Sequence, residues 1–165
     1  MKHAIPALTA ALSLCMAQVY AQAESGTSEY APLYYAIKGG FMQPDGDDND
    51  SALNVGGMLG QPFHRNFSWE AELTLTIADG KVGGDDNWDI TTVAGYGVFR
   101  GPGQVAFKGK AGLAYWNGSD EDDISLSTGV GLGIRAGKSG LVDLEFTEID
   151  DSVDFISVGY ILNYR

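Results

Sequence analysis

The stretch SVGYILNY, residues 157–164, alternates in polarity from one residue to the next. Successive side chains of a strand point to opposite faces, so a strand here places Val158, Tyr160, Leu162 and Tyr164 on one face. A soluble domain rarely ends on such a strand, because fraying would expose aromatic surface to water. A strand inside a bilayer needs an apolar outward face and partners on both edges. The stretch therefore predicts the closing strand of a membrane-spanning β-barrel.

Similar alternation recurs along the rest of the chain, in segments near the ~9–11 residues that a tilted spanning strand requires. The predicted strands are 34–42, 52–61, 67–77, 88–99, 104–116, 123–135, 140–148 and 154–164. No helical periodicity competes with these segments. An even number of short antiparallel strands suits a small closed barrel. The predicted fold is therefore all-β, an eight-stranded antiparallel up-and-down transmembrane β-barrel.

The first residues have the features of a cleavable signal peptide that precedes the barrel. Lys2 and His3 form a basic head, residues 4–17 form an apolar core, and Ala21-Gln22-Ala23 is an A-x-A cleavage site. The core is shorter than the ~20 residues that span a bilayer as a helix. The expected organisation is a signal peptide at 1–23, a periplasmic lead-in at 24–33 and an outer-membrane barrel domain at 34–165.

The single cysteine, Cys15, lies before this cleavage site. It would leave with the signal peptide, so we expect no disulfide or thiol chemistry in the mature chain. The segment LSLC at residues 12–15 offers the alternative of a lipoprotein cleavage box. Leu14 stands there where a small residue is required, which favours ordinary export to the bacterial outer membrane.

An apolar outward face is predicted for every strand. Its members are Tyr35, Ile37, Phe41, Leu53, Val55, Leu59, Phe67, Trp69, Leu73, Leu75, Ile77, Trp88, Ile90, Tyr96, Val98, Val105, Phe107, Leu113, Tyr115, Ile124, Leu126, Val130, Leu132, Ile134, Val142, Leu144, Phe146, Ile156, Val158, Tyr160, Leu162 and Tyr164. Aromatic residues gather at strand ends, as in the belts of membrane barrels. A soluble sandwich or ligand-carrying barrel would use the same face as its core, and alternation alone leaves that alternative open.

The opposite face predicts a narrow lumen filled by paired charges. Its charged members are Lys38, Glu70, Glu72, Asp89, Lys108, Lys110, Arg135, Asp143 and Glu145. Buried charges are tolerated when they are paired and hydrogen-bonded, and this set is nearly balanced. An interior of eight strands is about wide enough for side chains to fill. Glycines on the same face, at 95, 97, 129, 131 and 133, would leave room for large neighbours such as Trp116 and Phe99.

Charge is also sorted between the two ends of the predicted barrel. Alternate connections hold most of the 22 acidic residues, namely Asp45, Asp47, Asp48, Asp50, Asp79, Asp85, Asp86, those at 120–123, Glu148, Asp150, Asp151 and Asp154. The other connections are tight turns that hold Arg65, Arg100 and Lys138 and no acid. This predicts acidic external loops and short periplasmic turns. The net charge of −12 argues against nucleic acid as a partner.

The chain resembles the small outer-membrane barrels of the OmpA transmembrane-domain, OmpX and opacity-protein group. The segments YYAIKGGF at 34–41 and FSWEAEL at 67–73 look like strands of that family. The C-terminal residues Gly159, Tyr160, Leu162 and Tyr164 are similar to its insertion signal. The resemblance implies a monomer that is folded by the barrel-assembly machinery and surrounded by outer-membrane lipid and lipopolysaccharide.

Catalytic, metal and cofactor sites are not expected. Outer-membrane barrels that modify lipid A use a His with a Ser, whereas His64 lies in a predicted periplasmic turn. Asp45, Asp47 and Asn49 resemble the start of a calcium loop without its distal Glu, so they are a weak candidate for divalent cations. The neighbouring carboxylates Glu70 and Glu72 are better explained by ion pairs with lumen lysines than by acid–base catalysis.

The function predicted from the sequence is a non-enzymatic integral outer-membrane barrel with a structural or surface-interaction role. The acidic external loops would meet divalent cations or extracellular ligands. One alternative is a small-solute or ion channel, which a filled lumen disfavours. Another is a soluble periplasmic barrel that carries an apolar ligand.

Overall fold

The structure, a computed structural model of the chain, describes residues 32–45, 50–82, 86–118 and 122–164. The predicted signal peptide and most of the lead-in lie outside this part. The described residues contain the strands β1 (Tyr34–Pro44), β2 (Ala52–His64), β3 (Phe67–Ala78), β4 (Gly80–Val82), β5 (Asp86–Trp88), β6 (Ile90–Arg100), β7 (Val105–Gly118), β8 (Asp122–Ala136), β9 (Gly140–Asp150) and β10 (Val153–Leu162). Within them, no helix is long and apolar enough to cross a membrane.

Eight strands form a closed antiparallel barrel in the order β1-β10-β9-β8-β7-β6-β3-β2. The first and last strands pair directly, with Lys38 of β1 opposite Gly159 of β10, and close the barrel. Lys38 also lies opposite Gly56 of β2 on its other side. The predicted all-β barrel of eight antiparallel strands is confirmed, and closure leaves no barrel strand with an unpaired edge.

The strands at the acidic end are longer than the sequence predicts. β7 continues to Gly118 and β9 continues to Asp150, so that only residues 151 and 152 connect β9 to β10. The expectation of a longer loop there is wrong, because acidic side chains at a strand end can be solvated while the backbone stays paired. The connection between β3 and β6 is longer, and it forms the unpredicted hairpin β4–β5.

The connections at the opposite end are tight turns, as predicted. Residues 65 and 66 join β2 to β3, and residues 137–139 join β8 to β9. Gly137 has a φ of 79° and Gly103, in the turn before β7, has a φ of 120°. Both values lie in the region that glycine adopts without the steric cost of a Cβ atom.

The outward face of most barrel strands is apolar and exposed. Ile37 is 72% exposed and Leu126 is 71% exposed, although both are large aliphatic residues. Further exposed apolar residues of this wall are Tyr35, Phe41, Val55, Phe67, Leu73, Leu75, Ile77, Val105, Phe107, Leu113, Ile124, Val130, Leu132, Ile134, Leu144, Phe146, Ile156, Val158, Tyr160 and Leu162. The described residues thus expose far more contiguous apolar surface than a soluble monomer does.

β6 is the strand whose two faces the sequence interpretation inverts. The sequence pattern favours an outward face of Trp88, Ile90, Tyr96 and Val98, and an inward face that includes Gly95, Gly97 and Phe99. In the structure Tyr96 is 3% exposed and Val98 is 1% exposed, and both lie inside the barrel. Gly95, Gly97 and Phe99 face outward, while Trp88 belongs to the β4–β5 hairpin. The outward face of β6 therefore lacks side chains at its centre, at Gly95 and Gly97, and carries Phe99 at its end.

The C-terminal residue Tyr164 also leaves the face predicted for it. Asn163 has a φ of 60°, which turns the backbone, and its Nδ2 donates a hydrogen bond to the carbonyl of Leu33 at 2.7 Å. The ring of Tyr164 then packs edge-on against Tyr34, with ring centroids 5.5 Å apart. Tyr164 therefore lies across the tight-turn end of the lumen, whereas Tyr160 and Leu162 face outward.

Candidate functional site: the charged lumen

Charged side chains from five strands meet inside the barrel. They alternate with outward apolar residues in sequence, so the pleat of each strand directs them to the lumen. The cations are Lys38 of β1, Arg100 of β6 and Lys108 and Lys110 of β7; the anions are Glu70 and Glu72 of β3 and Asp143 and Glu145 of β9. We call these eight residues the lumen network. Their formal charges balance.

Glu145 is the central acceptor of one half of the network. Its Oε1 lies 2.9 Å from Lys38 Nζ and 2.7 Å from Lys110 Nζ, and its Oε2 pairs with Lys108. Glu72 joins two of the same lysines, at 2.8 Å from Lys38 and 3.1 Å from Lys110. The Thr147 hydroxyl donates a further hydrogen bond to Glu145 at 3.0 Å. Lys38 and Lys110 therefore each contact the same two carboxylates.

Arg100 organises the other half, toward the tight-turn end. Its Nη2 lies 2.9 Å from Glu70 and 3.0 Å from Asp143, and its Nη1 donates to the second oxygen of Asp143 at 3.2 Å. Lys108 pairs with the same two carboxylates at 2.9 and 3.2 Å. The hydroxyl of Tyr34 donates to Glu70 at 2.8 Å. A guanidinium donates in two directions at once, which suits this bridging position.

The network is buried, and its energetics depend on its completeness. The charged side chains in these pairs are at most 8% exposed. Removing an ion from water costs several kcal/mol even after relaxation, and close opposite charges with further hydrogen bonds offset that cost. Removing one member leaves a buried charge without its partner, which typically costs about 3–5 kcal/mol.

The structure places seven of the nine predicted lumen charges in the network and leaves two outside it. Asp89 is exposed between β5 and β6. Arg135 is exposed near the end of β8, where its guanidinium lies 5.5 Å from the ring centroid of Tyr164. Those two assignments are wrong, because both residues are exposed to solvent near strand ends and are not buried with the network.

Arg100 is the member of the lumen network that the sequence interpretation missed. It assigns Arg100 to the turn after β6, whereas the strand continues to this residue and the side chain is 4% exposed. A usable signal was present, since Arg100 is an even number of residues from Tyr96 and Val98. A charged residue on that face indicates that the face points into the lumen.

Strands that carry small residues make room for the long side chains of the network. A Cβ atom added to Gly129 would lie 2.8 Å from Lys110 Cε, and one added to Gly133 would lie 2.9 Å from a methyl of Leu141. The predicted role of the β8 glycines, to accommodate large neighbours, therefore applies to Lys110 and Leu141. Phe99 is not such a neighbour, because it faces outward.

Apolar layers cover the network on both sides along the barrel axis. The layer toward the acidic end consists of Met42, Ile90, Ala94, Tyr96, Val98, Ala114, Ile149, Val153 and Phe155, with Trp88 and Trp116 packed against it. The layer toward the tight turns consists of Tyr34, Ala36, Met58, Leu141 and Ile161, with Tyr164 packed against it. Aromatic rings contact the cations, with Lys110 Nζ 4.0 Å from the Tyr96 centroid and Lys38 Nζ 5.1 Å from that of Phe155.

A small cavity lies beside the network. A cavity lined by Lys38, Lys108, Asp143 and Glu145 has a volume of about 10 Å³. That volume is close to the minimum for one water molecule. The charges therefore contact one another rather than a column of water.

The β4–β5 hairpin is fastened beside the acidic end of the barrel. Trp88 Nε1 donates a hydrogen bond to the carbonyl of Asp50 at 3.0 Å, and the amide of Asp50 donates to the carbonyl of Lys81 at 2.8 Å. Trp88 also packs against the apolar layer at this end. The hairpin thus adds an aromatic contact at the mouth of the lumen.

The weak candidate loop for a divalent cation lies mostly outside the described residues. Asp45 is exposed, and Asp47 and Asn49 lie outside the described residues. Among the residues that the structure describes, no three His, Cys, Asp or Glu residues could jointly hold a metal ion. His64 is exposed in β2 beside the tight turn, with its ring 6.0 Å from that of Phe67.

Comparison with known proteins relates this architecture to characterised barrels. Residues 7–161 match the family described as the outer membrane protein beta-barrel domain. No curated protein sequence matches. Among solved structures, Neisserial surface protein A is similar with a TM-score of 0.65 and 9% identity, covering 83% of this chain and 100% of that one.

Two further solved structures resemble the barrel. The outer membrane protein OprG from Pseudomonas aeruginosa has a TM-score of 0.52 and 15% identity over 79% of this chain and 96% of that one. The outer membrane enzyme PagL has a TM-score of 0.52 and 13% identity over 78% of this chain and 98% of that one. At these identities the likeness concerns the fold alone.

Proposed function

Because the chain belongs to the outer membrane protein beta-barrel domain family, we propose that it is an integral outer-membrane barrel with a closed lumen and a structural or surface-interaction role. The observation that carries the proposal is the lumen network. Eight charged side chains of balanced sign contact one another across the barrel, in the volume that a conducting pore would leave to water.

The apolar layers support the same proposal. An ion that entered the lumen would have to displace one layer, break the ion pairs of Glu72 and Glu145, and then displace the second layer. Each ion pair that opens leaves charges unpaired in a medium of low dielectric constant, where they cost several kcal/mol. The small-solute or ion channel is therefore the less favoured alternative.

Planar-bilayer recording tests the closed lumen. We expect no discrete current steps from the purified protein at moderate voltage, with a general porin in the same membrane as the positive control. Reproducible steps whose size scales with salt concentration would overturn the closed lumen in favour of the channel.

The apolar outer wall supports membrane insertion over the soluble carrier. Large aliphatic residues such as Ile37 and Leu126 point away from the barrel, whereas its interior is charged. A soluble ligand carrier requires the opposite arrangement. We expect the protein in the outer-membrane fraction, with a band on a cold detergent gel that shifts on boiling. An unshifted band in the soluble periplasmic fraction would favour the carrier.

We assign no catalytic role to the barrel, although PagL is described as an outer membrane enzyme. A lipid-modifying reaction would need a catalytic histidine. His64 is exposed and its ring lies against that of Phe67, which is not the setting of a catalytic base. Incubation with lipopolysaccharide and phospholipid substrates is expected to release no fatty acid. Release that is lost in His64→Ala would establish an enzyme.

The acidic end of the barrel is the surface offered to partners. Asp50, Asp122, Asp123, Asp150 and Asp151 are at this end, outside the apolar layer. Contact with lipopolysaccharide through shared divalent cations remains a prediction. Removal of divalent cations with a chelator is expected to lower the unfolding temperature in lipopolysaccharide-containing vesicles but not in phospholipid vesicles.

A further inference from the structure

A groove crosses the outside of the barrel over β6, β7 and β8. Its floor is formed by Gly97, Ala111 and Thr128, which lie directly opposite one another in the pairing of these strands. The groove has a volume of about 760 Å³. The apolar side chains that border it are Phe63, Phe67, Phe99, Val130 and Phe146.

Packing within the barrel does not require this floor to be bare. A Cβ atom added to Gly97 would approach nothing closer than the Ala111 carbonyl oxygen, at 3.9 Å, and one added to Gly95 would meet no heavy atom within 4 Å. Gly112 on the inward face of β7 differs, since its Cβ would collide with the backbone of β6. The outward glycines thus leave space that the fold would allow a side chain to fill.

An aromatic row leads from the groove to the tight-turn end of the barrel. Phe63 stacks on Phe67 at 6.4 Å between ring centroids, and Phe67 packs edge-on against Phe99 at 5.4 Å. Beside this row are two exposed residues whose side-chain nitrogens can donate hydrogen bonds to a phosphate, His64 and Arg65. Arg65 is in the two-residue turn between Phe63 and Phe67, which both border the groove. An arginine in a turn at a membrane boundary suits a phosphate-bearing lipid head group.

The dimensions of the groove match one leaflet. Phe67, Phe99, Gly109, Val130 and Phe146 lie in register across five neighbouring strands, a path of roughly 19 Å at a strand spacing of ~4.8 Å. With strands tilted by ~35–45°, this path rises by roughly 12 Å, half of the ~25 Å apolar band. Glu148 borders the far end of the groove, where it would repel an anionic head group.

We propose that this groove binds an anionic glycerophospholipid from the leaflet at the tight-turn end of the barrel. The phosphate lies at Arg65 and His64, and one acyl chain lies along Gly97, Ala111 and Thr128. The proposal rests on the proposed function in one respect, which is that the outer wall faces a bilayer.

Native mass spectrometry of the refolded barrel, with equal amounts of phosphatidylglycerol and phosphatidylethanolamine, tests the proposal. Wild type is expected to retain phosphatidylglycerol. Gly97→Val fills the groove and should lower retention at least tenfold, and Arg65→Ala should abolish the preference for the anionic lipid. The matched controls are Gly57→Val, at an outward glycine on β2 with equally open space, and Lys138→Ala in another tight turn; both should behave as wild type.

Equal retention of the two lipids by wild type, or unchanged retention by Gly97→Val, would overturn the lipid site. A dimer that Gly97→Val dissociates would also overturn it and would assign the groove to a second copy of the chain. Each protein is also run on a cold detergent gel. A heat-modifiable barrel without bound lipid contradicts the lipid site alone, whereas the absence of a heat-modifiable band contradicts the proposed function.

Discussion

β6 and β7 are adjacent strands that distribute their residues in opposite ways. β7 directs Lys108 and Lys110 into the lumen and Phe107 and Leu113 outward. β6 directs Tyr96 inward, and the middle of its outward face carries the glycines Gly95 and Gly97. Both strands alternate with the same period, so alternation identifies two faces without stating which one is inside. The identity of the inside face comes from the neighbouring strands.

The pairing of the two strands explains the inversion. Tyr96 lies opposite Gly112, so a ring on β6 occupies the space that β7 leaves inside the barrel. The ring also contacts the ammonium of Lys110 at 4.0 Å, and its hydroxyl lies 3.0 Å from that of Ser127. The large side chain of Tyr96 on β6 thus fits beside the missing side chain of Gly112 on β7. The sequence of one strand alone does not reveal this match.

The largest effect is expected where β6 contributes charge to the lumen. Arg100→Met should lower the free energy of unfolding by about 3–5 kcal/mol, because Glu70 and Asp143 lose a buried cation. Arg135→Met is the matched control, and its exposed guanidinium should contribute less than about 1 kcal/mol. Urea unfolding in lipid vesicles, followed by tryptophan fluorescence, measures both variants. Equal effects would contradict the lumen position of Arg100.

Next in size is the ring that β6 directs inward. Tyr96→Ala should cost about 3 kcal/mol, since it leaves a cavity in the apolar layer and removes the contact with Lys110. Tyr160→Ala removes an outward tyrosine of β10, and lipid can fill the space it leaves. The same unfolding experiment should show a cost for Tyr160→Ala below about half that for Tyr96→Ala. The reverse order would restore the original face assignment of β6.

A charged residue introduced on the outward face of β7 tests whether that face contacts lipid. Leu113→Arg should cost about 2–3 kcal/mol, since a cation near the membrane midplane is poorly solvated. Val105→Arg, at the first residue of the same strand, should cost less than about 1 kcal/mol because it lies near the interface. The yield of heat-modifiable barrel on refolding reports both. Equal yields would argue that this wall does not face lipid.

The smallest effects separate the inner from the outer glycines. Gly112→Val should cost about 1–3 kcal/mol, because its side chain would press against the backbone of β6. Gly97→Val, one pairing position away on the outer face, should change stability by less than about 0.5 kcal/mol. The urea midpoints of unfolding of the two variants and wild type measure both effects. A larger loss in Gly97→Val than in Gly112→Val would contradict the observed faces.

Much of this architecture follows from local pattern. In β7, Lys108 and Lys110 are on one face and Phe107 is on the other. The alternation separates the two faces, the charges indicate which one is inside, and both faces are as predicted. The sequence predicts that positive and negative residues are balanced on the inward face, but it does not predict that Lys110 pairs with Glu145. Their contact depends on register, which the residues of a single strand do not encode.

Three features could not be predicted from the strand in which they occur. The inward direction of Tyr96 depends on Gly112, the inward direction of Tyr164 depends on the positive φ of Asn163, and the burial of Arg100 depends on continued pairing with Lys108. The acidic end shows the same limitation, since backbone pairing carries β9 through residues that would otherwise predict a loop. In each case a tertiary contact overrides the local signal.

The most direct test of the central claim is a nitroxide scan of β6 in lipid vesicles, with single cysteines at positions 94–98 in a Cys15→Ser background. The filled-lumen barrel predicts strong broadening by membrane-dissolved oxygen at positions 95 and 97, and protection from both oxygen and a water-soluble nickel complex at positions 94, 96 and 98. Oxygen contact at positions 96 and 98, or nickel contact along the inward face, would contradict a lipid-facing wall around a closed, side-chain-filled lumen.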